Sequence, residues 1–382
     1  MRRDSIRDQV AIVGVGCCQF GENWDQSPSD MIVDAAYEAY ADAGIEKPQE
    51  RIDAVFCGSL YSQKGPHECS DALKLWKPVT AVQNYCATGT DAFRCGVMSV
   101  ACGLYDTVLV VGYDKPKDRG VSGPSVQMNQ VRDLPQTPAG WFSICAARYF
   151  DKYGASRDDL ARIAIKNHHN GTLAPRSFLK REITLEDYRG ARLISWPFGL
   201  YDCAAQTDGA AAAIITRADL AKSFRPDPVR VKAVTVFAGP NPQKDPGFDF
   251  LGWKPTAEAA AVAYQMAGVA PSDVDVAQVH DCFSLTELLS YEDLGFCPKG
   301  EARHQIAAGR FELSGELPVN TDGGLKSFGH PTGATGVRMI YENTLQLQGR
   351  AGPRQVKDAA IALSHNIGGH PTACGIAILA RA

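Results

Sequence analysis

The sequence predicts a duplicated α/β fold, and three observations lead to it. The run Ala39-Tyr40-Ala41-Asp42-Ala43-Gly44-Ile45 recurs as Ala263-Tyr264-Gln265-Met266-Ala267-Gly268-Val269, each copy closing a helix-like segment. Self-similarity at long spacing is the mark of a repeated structural unit. Each copy then leads through a short polar loop to an apolar-Asp pair, Ile52-Asp53 or Val274-Asp275, and a strand-like run, Ala54 to Gly58 or Val276 to His280. Finally, continuous apolar runs such as Thr107 to Gly112 and Ala359 to Ser364 alternate with helical patterns. Such runs belong to strands buried on both faces of an α/β sheet. At 382 residues the chain is long enough to build two core-forming halves.

Taken in order, the elements of the two halves correspond. In the first, Cys86-Ala87-Thr88-Gly89 opens a helix-like segment that ends near Gly103 and feeds the Thr107 strand; in the second, His330-Pro331-Thr332-Gly333 opens one that ends near Gly349 and feeds the Ala359 strand. Cys86 and His330 are thus expected at equivalent places. Two halves facing each other across a pseudo-two-fold axis would aim both helix N-termini at one central site, where helix dipoles favour a thiolate. A different texture fills the middle of the chain, rich in Gly, Pro and Gln up to Pro138 and then in Arg, Lys and His from Arg157 to Arg181. The turn Thr207-Asp208-Gly209 and the run Ala210 to Thr216 return to strand-like composition, and Pro226 to Pro228 mark a boundary. The expected organisation is a first half of residues 1–115 and 204–225, an inserted loop domain of 116–203, and a second half of 226–382.

Bulk composition excludes several classes. A net charge of −4 with interspersed signs leaves no basic stripe for nucleic acid. No stretch approaches the roughly 20 apolar residues of a membrane span, and no apolar segment follows Met1-Arg2-Arg3, so a cytoplasmic location is expected. Twelve cysteines, most in apolar runs (Cys95, Cys102, Cys145, Cys203), read as buried free thiols rather than a disulfide framework. None shows C-x-x-C spacing, and no metal site is expected.

Four motifs in sequence order resemble those of the thiolase family, in its sterol-carrier-protein-type branch. They are Asn84-Tyr85-Cys86-Ala87-Thr88-Gly89, His280-Asp281-Cys282-Phe283 with Glu287-Leu288, Gly329-His330-Pro331-Thr332-Gly333-Ala334-Thr335-Gly336, and His365-Asn366-Ile367-Gly368-Gly369. The resemblance spans nearly the whole chain and implies the thiolase fold, two α/β halves in αβαβα layers. It also makes the inserted domain a cover for coenzyme A or substrate. One departure is informative: where the better-known degradative and biosynthetic thiolases carry a second cysteine, this chain has Asn366. The resemblance assigns that second sulfur to Cys282, and gives Cys374, which is out of register, no role.

The implied chemistry is acyl transfer between thiols, for which a thiolate is the suited nucleophile. Cys86 would carry the acyl group, His330 would take its proton, and Cys282 would remove or return the methyl proton of an acetyl thioester. By the same resemblance His280, with a water, and His330 would donate to the enolate oxygen, while the backbone N–H groups of Cys86 and Gly368 hold the tetrahedral oxyanion. Acyl-CoA is then the substrate and coenzyme A or acetyl-CoA the co-substrate, with no cofactor bound permanently. The expected reaction is thiolytic cleavage or Claisen condensation of a 3-oxoacyl-CoA, in the catabolism of a branched or aromatic acyl group. Alternatives are a thiolase-fold acetyltransferase or ketosynthase, an aldolase-like relative that Cys86 argues against, and a non-catalytic acyl-CoA-binding subunit. Expected partners are a second copy of the chain and a small zinc-ribbon and OB-fold companion. The basic residues His168, His169, Arg176, Lys180 and Arg181 suit coenzyme A phosphates, but individually read better as a solvated helix face. The Gly329 to Gly336 loop lacks the lysine and spacing of a P-loop.

Overall fold

The structure is a computed structural model and describes residues 6–119, 127–128, 135–240 and 245–382. Most of the Gly-, Pro- and Gln-rich start of the expected insertion, 120–126 and 129–134, lies outside the described residues. Nine strands form the main sheet: β1 Val10–Cys17, β2 Ala54–Gly58, β3 Val79–Val82, β4 Thr107–Asp114, β5 Gly209–Arg217, β6 Val229–Ala238, β7 Val276–Gln278, β8 Ile361–Gly368 and β9 Ala373–Arg381. Their spatial order is β7-β8-β9-β6-β1-β5-β4-β2-β3.

Read outward from the centre, that order is the same path twice. From β1 the sheet steps antiparallel to β5, antiparallel to β4, then parallel to β2 and β3. From β6 it steps antiparallel to β9, antiparallel to β8, then parallel to β7, beyond which Ala277 bridges Val319 in parallel. Within the sheet, among the described residues, the two halves join through the pairs Ala11–Arg230 and Ile12–Val229. The helix Thr335–Leu347 is buried along its whole length because it lies between the halves and touches strands of both, beside Thr88–Ala101. Outside, Pro28–Asp42 covers β1 and β5 while Lys254–Ala267 covers β6 and β9, which completes αβαβα layering.

The sequence repeat has a physical basis in these elements. Gly44 and Gly268 close their helices at φ +65° and +71°, a left-handed conformation that glycine adopts without a Cβ clash. In both cases the next residue's N–H reaches back to a tyrosine carbonyl, Ile45 to Tyr40 at 2.8 Å and Val269 to Tyr264 at 3.2 Å. The repeated aspartates do the same work too. Asp53 accepts from the N–H groups of Asp106 and Thr107, and Asp275 from those of Ala360 and Ile361, in each case tying a strand to the start of its parallel neighbour.

The insertion leans on the second half. The helices Pro138–Tyr153 and Arg157–Thr172 place Trp141, Phe142, Tyr149 and Leu160 in one core with Trp253, Phe283 and Leu288. Its basic helix is solvated on one side only: Arg162 and His169 are exposed, as are Lys180 and Arg181 beyond it, whereas Lys166, Asn167 and His168 are buried. Lys166 pairs with Glu287 at 2.5 Å and donates to the Val319 carbonyl at 2.9 Å; Asn167 donates to Glu287 at 2.7 Å and to Asp281 at 2.8 Å. A buried charge needs such a set of partners to offset its lost hydration.

Candidate active site

The helix Thr88–Ala101 starts two residues after Cys86, and the loop before it is held by its own side chains. Thr88 Oγ1 accepts from Asn84 N–H at 2.7 Å and donates to the Tyr85 carbonyl at 2.5 Å, while Asn84 Nδ2 reaches Asp91 at 3.2 Å. Tyr85 takes φ +48°, a region that costs a non-glycine residue energy and that persists where the surroundings enforce it. Gly368 supplies the close backbone: a Cβ there would lie 2.7 Å from the Asn84 carbonyl. The second helix, Thr335–Leu347, starts five residues after His330, so an extra turn separates His330 from its helix, and the match to Cys86 is one of loop and half rather than of helical position.

The two loops meet through glycines. A Cβ on Gly89 would lie 2.8 Å from the Gly333 carbonyl, and one on Gly336 would lie 2.3 Å from the Thr90 nitrogen. This close crossing brings the Cys86 sulfur and one ring nitrogen each of His280 and His330 within 4.8 Å of one another. The two imidazole planes stand nearly perpendicular, at 85° with centroids 5.4 Å apart.

Hydrogen bonds assign opposite tautomers to these rings. The Thr335 hydroxyl has one proton, which it donates to the Pro331 carbonyl at 3.0 Å, so it accepts from His330 Nδ1–H at 2.7 Å. His330 Nε2 is left with a lone pair. The Thr90 hydroxyl donates to Asn366 Oδ1 at 3.2 Å, which turns Asn366 Nδ2 towards His280 Nδ1 at 3.1 Å. His280 Nδ1 therefore accepts, and its Nε2 carries the proton. Burial keeps both rings neutral, lowering His330 to about 3 and His280 well below the ordinary range, with the neighbouring His330, His365 and Arg338 further disfavouring a proton on His280.

Burial also decides the state of the thiols. It raises Cys86 to about 12; an N–H from Gly369 lowers it, and Asp114 nearby adds a smaller rise. The thiolate expected from the helix dipole is thus outweighed, and the resting pair is a neutral thiol facing a neutral imidazole. Cys282 lies within electrostatic reach of Cys86 and is likewise pushed above the ordinary thiol range by burial, with its sulfur 3.7 Å from the Thr286 hydroxyl. Both cysteines remain partly exposed, which leaves a path to them.

Of the motif residues, Cys86, His280, Cys282, His330 and Gly368 come together, whereas Glu287 faces away towards Lys166. The backbone N–H groups directed at the Cys86 sulfur are those of Gly369, next to the expected Gly368, and of Cys86 itself. His365 is bound to the Thr256 hydroxyl at 3.1 Å, and Cys374 is buried in β9. The basic residues of the insertion are engaged within the chain: Arg176 with Glu38, Lys180 with the Pro175 carbonyl, Arg181 with Asp187 and His169 with Glu182, while His168 is bound to the Arg181 carbonyl.

Sequence reasoning missed Asp114 and the segment 202–206. Asp114, raised by burial to about 6, ends β4 and accepts from the Ser59 hydroxyl and from the N–H groups of Leu60, Tyr61 and Gly333. A lone acid closing an apolar strand was its only signal. The segment 202–206 pins both loops, with Ala204 N–H on the Cys282 carbonyl at 2.9 Å and His330 N–H on the Ala205 carbonyl at 2.9 Å.

Comparison with known proteins adds an independent line. Residues 10–195 match the family described as "Thiolase, N-terminal domain" and residues 247–381 that described as "Thiolase C-terminal domain-like". The chain is 37% identical to an acetyl-CoA acetyltransferase of Methanothermobacter thermautotrophicus over 98% of its own length and 100% of that protein's. It is 33% identical to sterol carrier protein 2 of Gallus gallus, covering 95% of this chain and 70% of that one. A solved structure named Ltp2-ChsH2(DUF35) aldolase superposes with a TM-score of 0.87 at 25% identity, covering 98% of both chains.

Proposed function

The chain belongs to the thiolase family, in its sterol-carrier-protein-type branch, and is an acyltransferase; on that premise we propose that it cleaves or condenses a 3-oxoacyl-CoA through an acyl-Cys86 intermediate. The observation that carries this reading is the pair of opposite tautomers beside one thiol. His330 Nε2 takes the Cys86 proton as sulfur attacks the carbonyl, which avoids a buried charge pair in the resting enzyme. In cleavage the 3-oxo carbon becomes the Cys86 thioester, the adjoining carbon–carbon bond breaks, and the departing acetyl-CoA enolate takes a proton from Cys282. Coenzyme A then accepts the acyl group from Cys86. Condensation runs the same steps in reverse, with the Cys282 thiolate removing the methyl proton.

The enolate oxygen needs donors fixed before charge develops, and His280 Nε2–H with a water meets that need. The tetrahedral oxyanion is held by backbone N–H groups of Cys86 and Gly368. The aldolase neighbour raises a second reading, carbon–carbon cleavage without a covalent intermediate. Cys86 with a lone-pair nitrogen of His330 within reach favours the thiolase route.

The inserted residues 116–203 are read as the cover over coenzyme A and substrate, between halves of 1–115 with 204–225 and 226–382. The acyl group itself is read as branched or aromatic. The DUF35-containing neighbour supports a companion protein, which we take to be a small zinc-ribbon and OB-fold unit. A homodimer fits the unpaired outer edge of β3. No described helix is long and apolar enough to cross a membrane.

Intact-protein mass spectrometry after brief exposure to a panel of acyl and 3-oxoacyl thioesters tests the reading. Wild type, with and without the companion, should gain an acyl mass that Cys86→Ser does not, and Cys282→Ala should acylate yet fail to turn over. No adduct under any condition would favour the non-catalytic acyl-CoA-binding subunit.

A further inference from the structure

Lys326 is buried, at 1% exposure, and among the described residues its ammonium makes one hydrogen bond, to the Asp202 carbonyl, and no ion pair within 4 Å. A cation in that position favours anions within its field: it lowers the Asp281 carboxyl, which burial and then Glu287 raise to about 6. Backbone pairing shows where the field falls. The Lys326 N–H donates to Asp281 Oδ2 at 3.1 Å, one residue from Cys282. The residue that Lys326 holds, Asp202, starts the segment that runs beside Cys282: Cys203 bridges Phe283, and Ala204 N–H donates to the Cys282 carbonyl. Lys326 is thus tied to both strands of chain that flank the Cys282 thiol.

We propose that Lys326 is a positioning residue that acts electrostatically, its buried ammonium stabilising the Cys282 thiolate during proton transfer to and from carbon. The inference rests on Cys282 being the base of the proposed reaction. The other groups around that thiol do not supply the charge. Cys86 and Asp281 disfavour a thiolate, the Thr286 hydroxyl donates only a neutral hydrogen bond, and His280 and His330 are kept neutral by burial. Lys166 is spent on Glu287, and Asp202 holds its own carboxylate towards the Tyr188 hydroxyl and the Gly199 N–H. Lys326 itself lowers the Cys282 thiol pKa against the effect of burial. Cys203 and His168 feel the same ammonium; burial raises the Cys203 thiol to about 11 against it, and burial lowers His168.

The sign of the effect follows. A nearby cation lowers a thiol pKa, so removing it raises the pKa and shifts the ascending limb of the carbon–carbon step, where the thiolate base forms, upward by about one to two pH units. The thiolate fraction at neutral pH falls correspondingly, by roughly 10- to 100-fold. Acylation of Cys86 depends on His330 and should hold to within about threefold. The experiment compares pH–rate profiles of Cys86 acylation, by mass spectrometry, with those of the carbon–carbon step, by exchange of acetyl-CoA methyl protons in D2O. Wild type, Lys326→Met and the charge-preserving Lys326→Arg are measured, and Arg should recover most of the shift. Should Lys326→Met not fold, Lys326→Gln, which keeps a donor for Asp202, serves in its place. An unshifted profile, or an equal loss in both half-reactions with no recovery by Arg, overturns the proposal. Cys282→Ala separates the two levels: if it leaves methyl exchange intact, the reading of Cys282 as base fails, whereas loss of exchange there with no shift at Lys326 refutes the lysine alone.

Discussion

At the scale of single residues, chemistry depends on which protons sit where. A Cys–His pair can rest as thiolate and imidazolium or as two neutral groups, and the balance of burial against stabilising donors decides between them. Here burial outweighs the Gly369 N–H at Cys86, and His330 is lowered to about 3, so the neutral pair is the resting state. Alkylation of Cys86 by iodoacetamide should therefore rise about tenfold per pH unit across roughly pH 6 to 9.5 without a plateau. A plateau with a midpoint near neutrality would show an ion pair and refute this assignment. The tautomers make a second prediction. Asn366→Asp places a carboxylate where the amide donor stood, so His280 must turn a proton towards it from Nδ1 and lose the neutral Nε2–H. The carbon–carbon step should fall about 10²–10³-fold, the usual loss of one preorganised donor, while Cys86 acylation is largely kept. Equal losses in both steps would mean that Asn366 serves the fold and not the tautomer. The sequence marks Asn366 as a missing cysteine; the role of its partner Thr90, and that of Thr335 beside His330, carry no sequence signal, because they arise only when separate segments meet.

At the scale of elements, the site depends on how closely two helices approach. Gly89 and Gly336 let the backbones of Thr88–Ala101 and Thr335–Leu347 meet without side chains between them, and Gly333 lets the preceding loop press on the backbone of Gly58 and Tyr113. Gly336→Ala would set a methyl group 2.3 Å from the Thr90 nitrogen and 2.7 Å from Asn366 Oδ1, so something must shift. Overpacking of this kind costs about 1–3 kcal/mol, and here the displaced groups are those that hold the His280 tautomer. A lowered melting temperature with activity reduced more than the stability loss explains is expected; unchanged activity would show that the crossing can relax without cost. These glycines were visible in the sequence as loop motifs, whereas the need for them was not. The same holds for the basic helix Arg157–Thr172: its composition reads as solvated, and Arg162 and His169 are exposed, yet Lys166 and Asn167 point inward because Glu287, Asp281 and the Val319 carbonyl offer partners from distant segments. Local pattern does not encode such long-range pairing.

At the scale of the whole molecule, the duplication was legible because each half solves the same local problem with the same residues. A glycine closes each helix, and an aspartate ties each pair of parallel strands, so both leave matching letters at Gly44 and Gly268 and at Asp53 and Asp275. The narrow join between halves at Ala11–Arg230 and Ile12–Val229 left none, since two antiparallel pairs impose no composition. The far edge of the first half raises the last question, how the sheet ends. Among the described residues of the single chain β3 is the outer strand of the sheet, with Thr80 and Ala81 exposed. Near this edge Trp76 is 91% exposed, and Met98 and Leu104 on and after the helix Thr88–Ala101 are exposed as well. An open edge beside bare apolar side chains is a template for pairing unless charge or proline blocks it. A second copy related by a two-fold axis would continue the sheet through β3 and bury these side chains. Sedimentation should then give twice the chain mass for wild type and a single chain for Trp76→Glu/Ala81→Lys, whose circular dichroism stays native. A wild type that sediments as one chain removes the homodimer, and a variant that still pairs moves the interface away from β3.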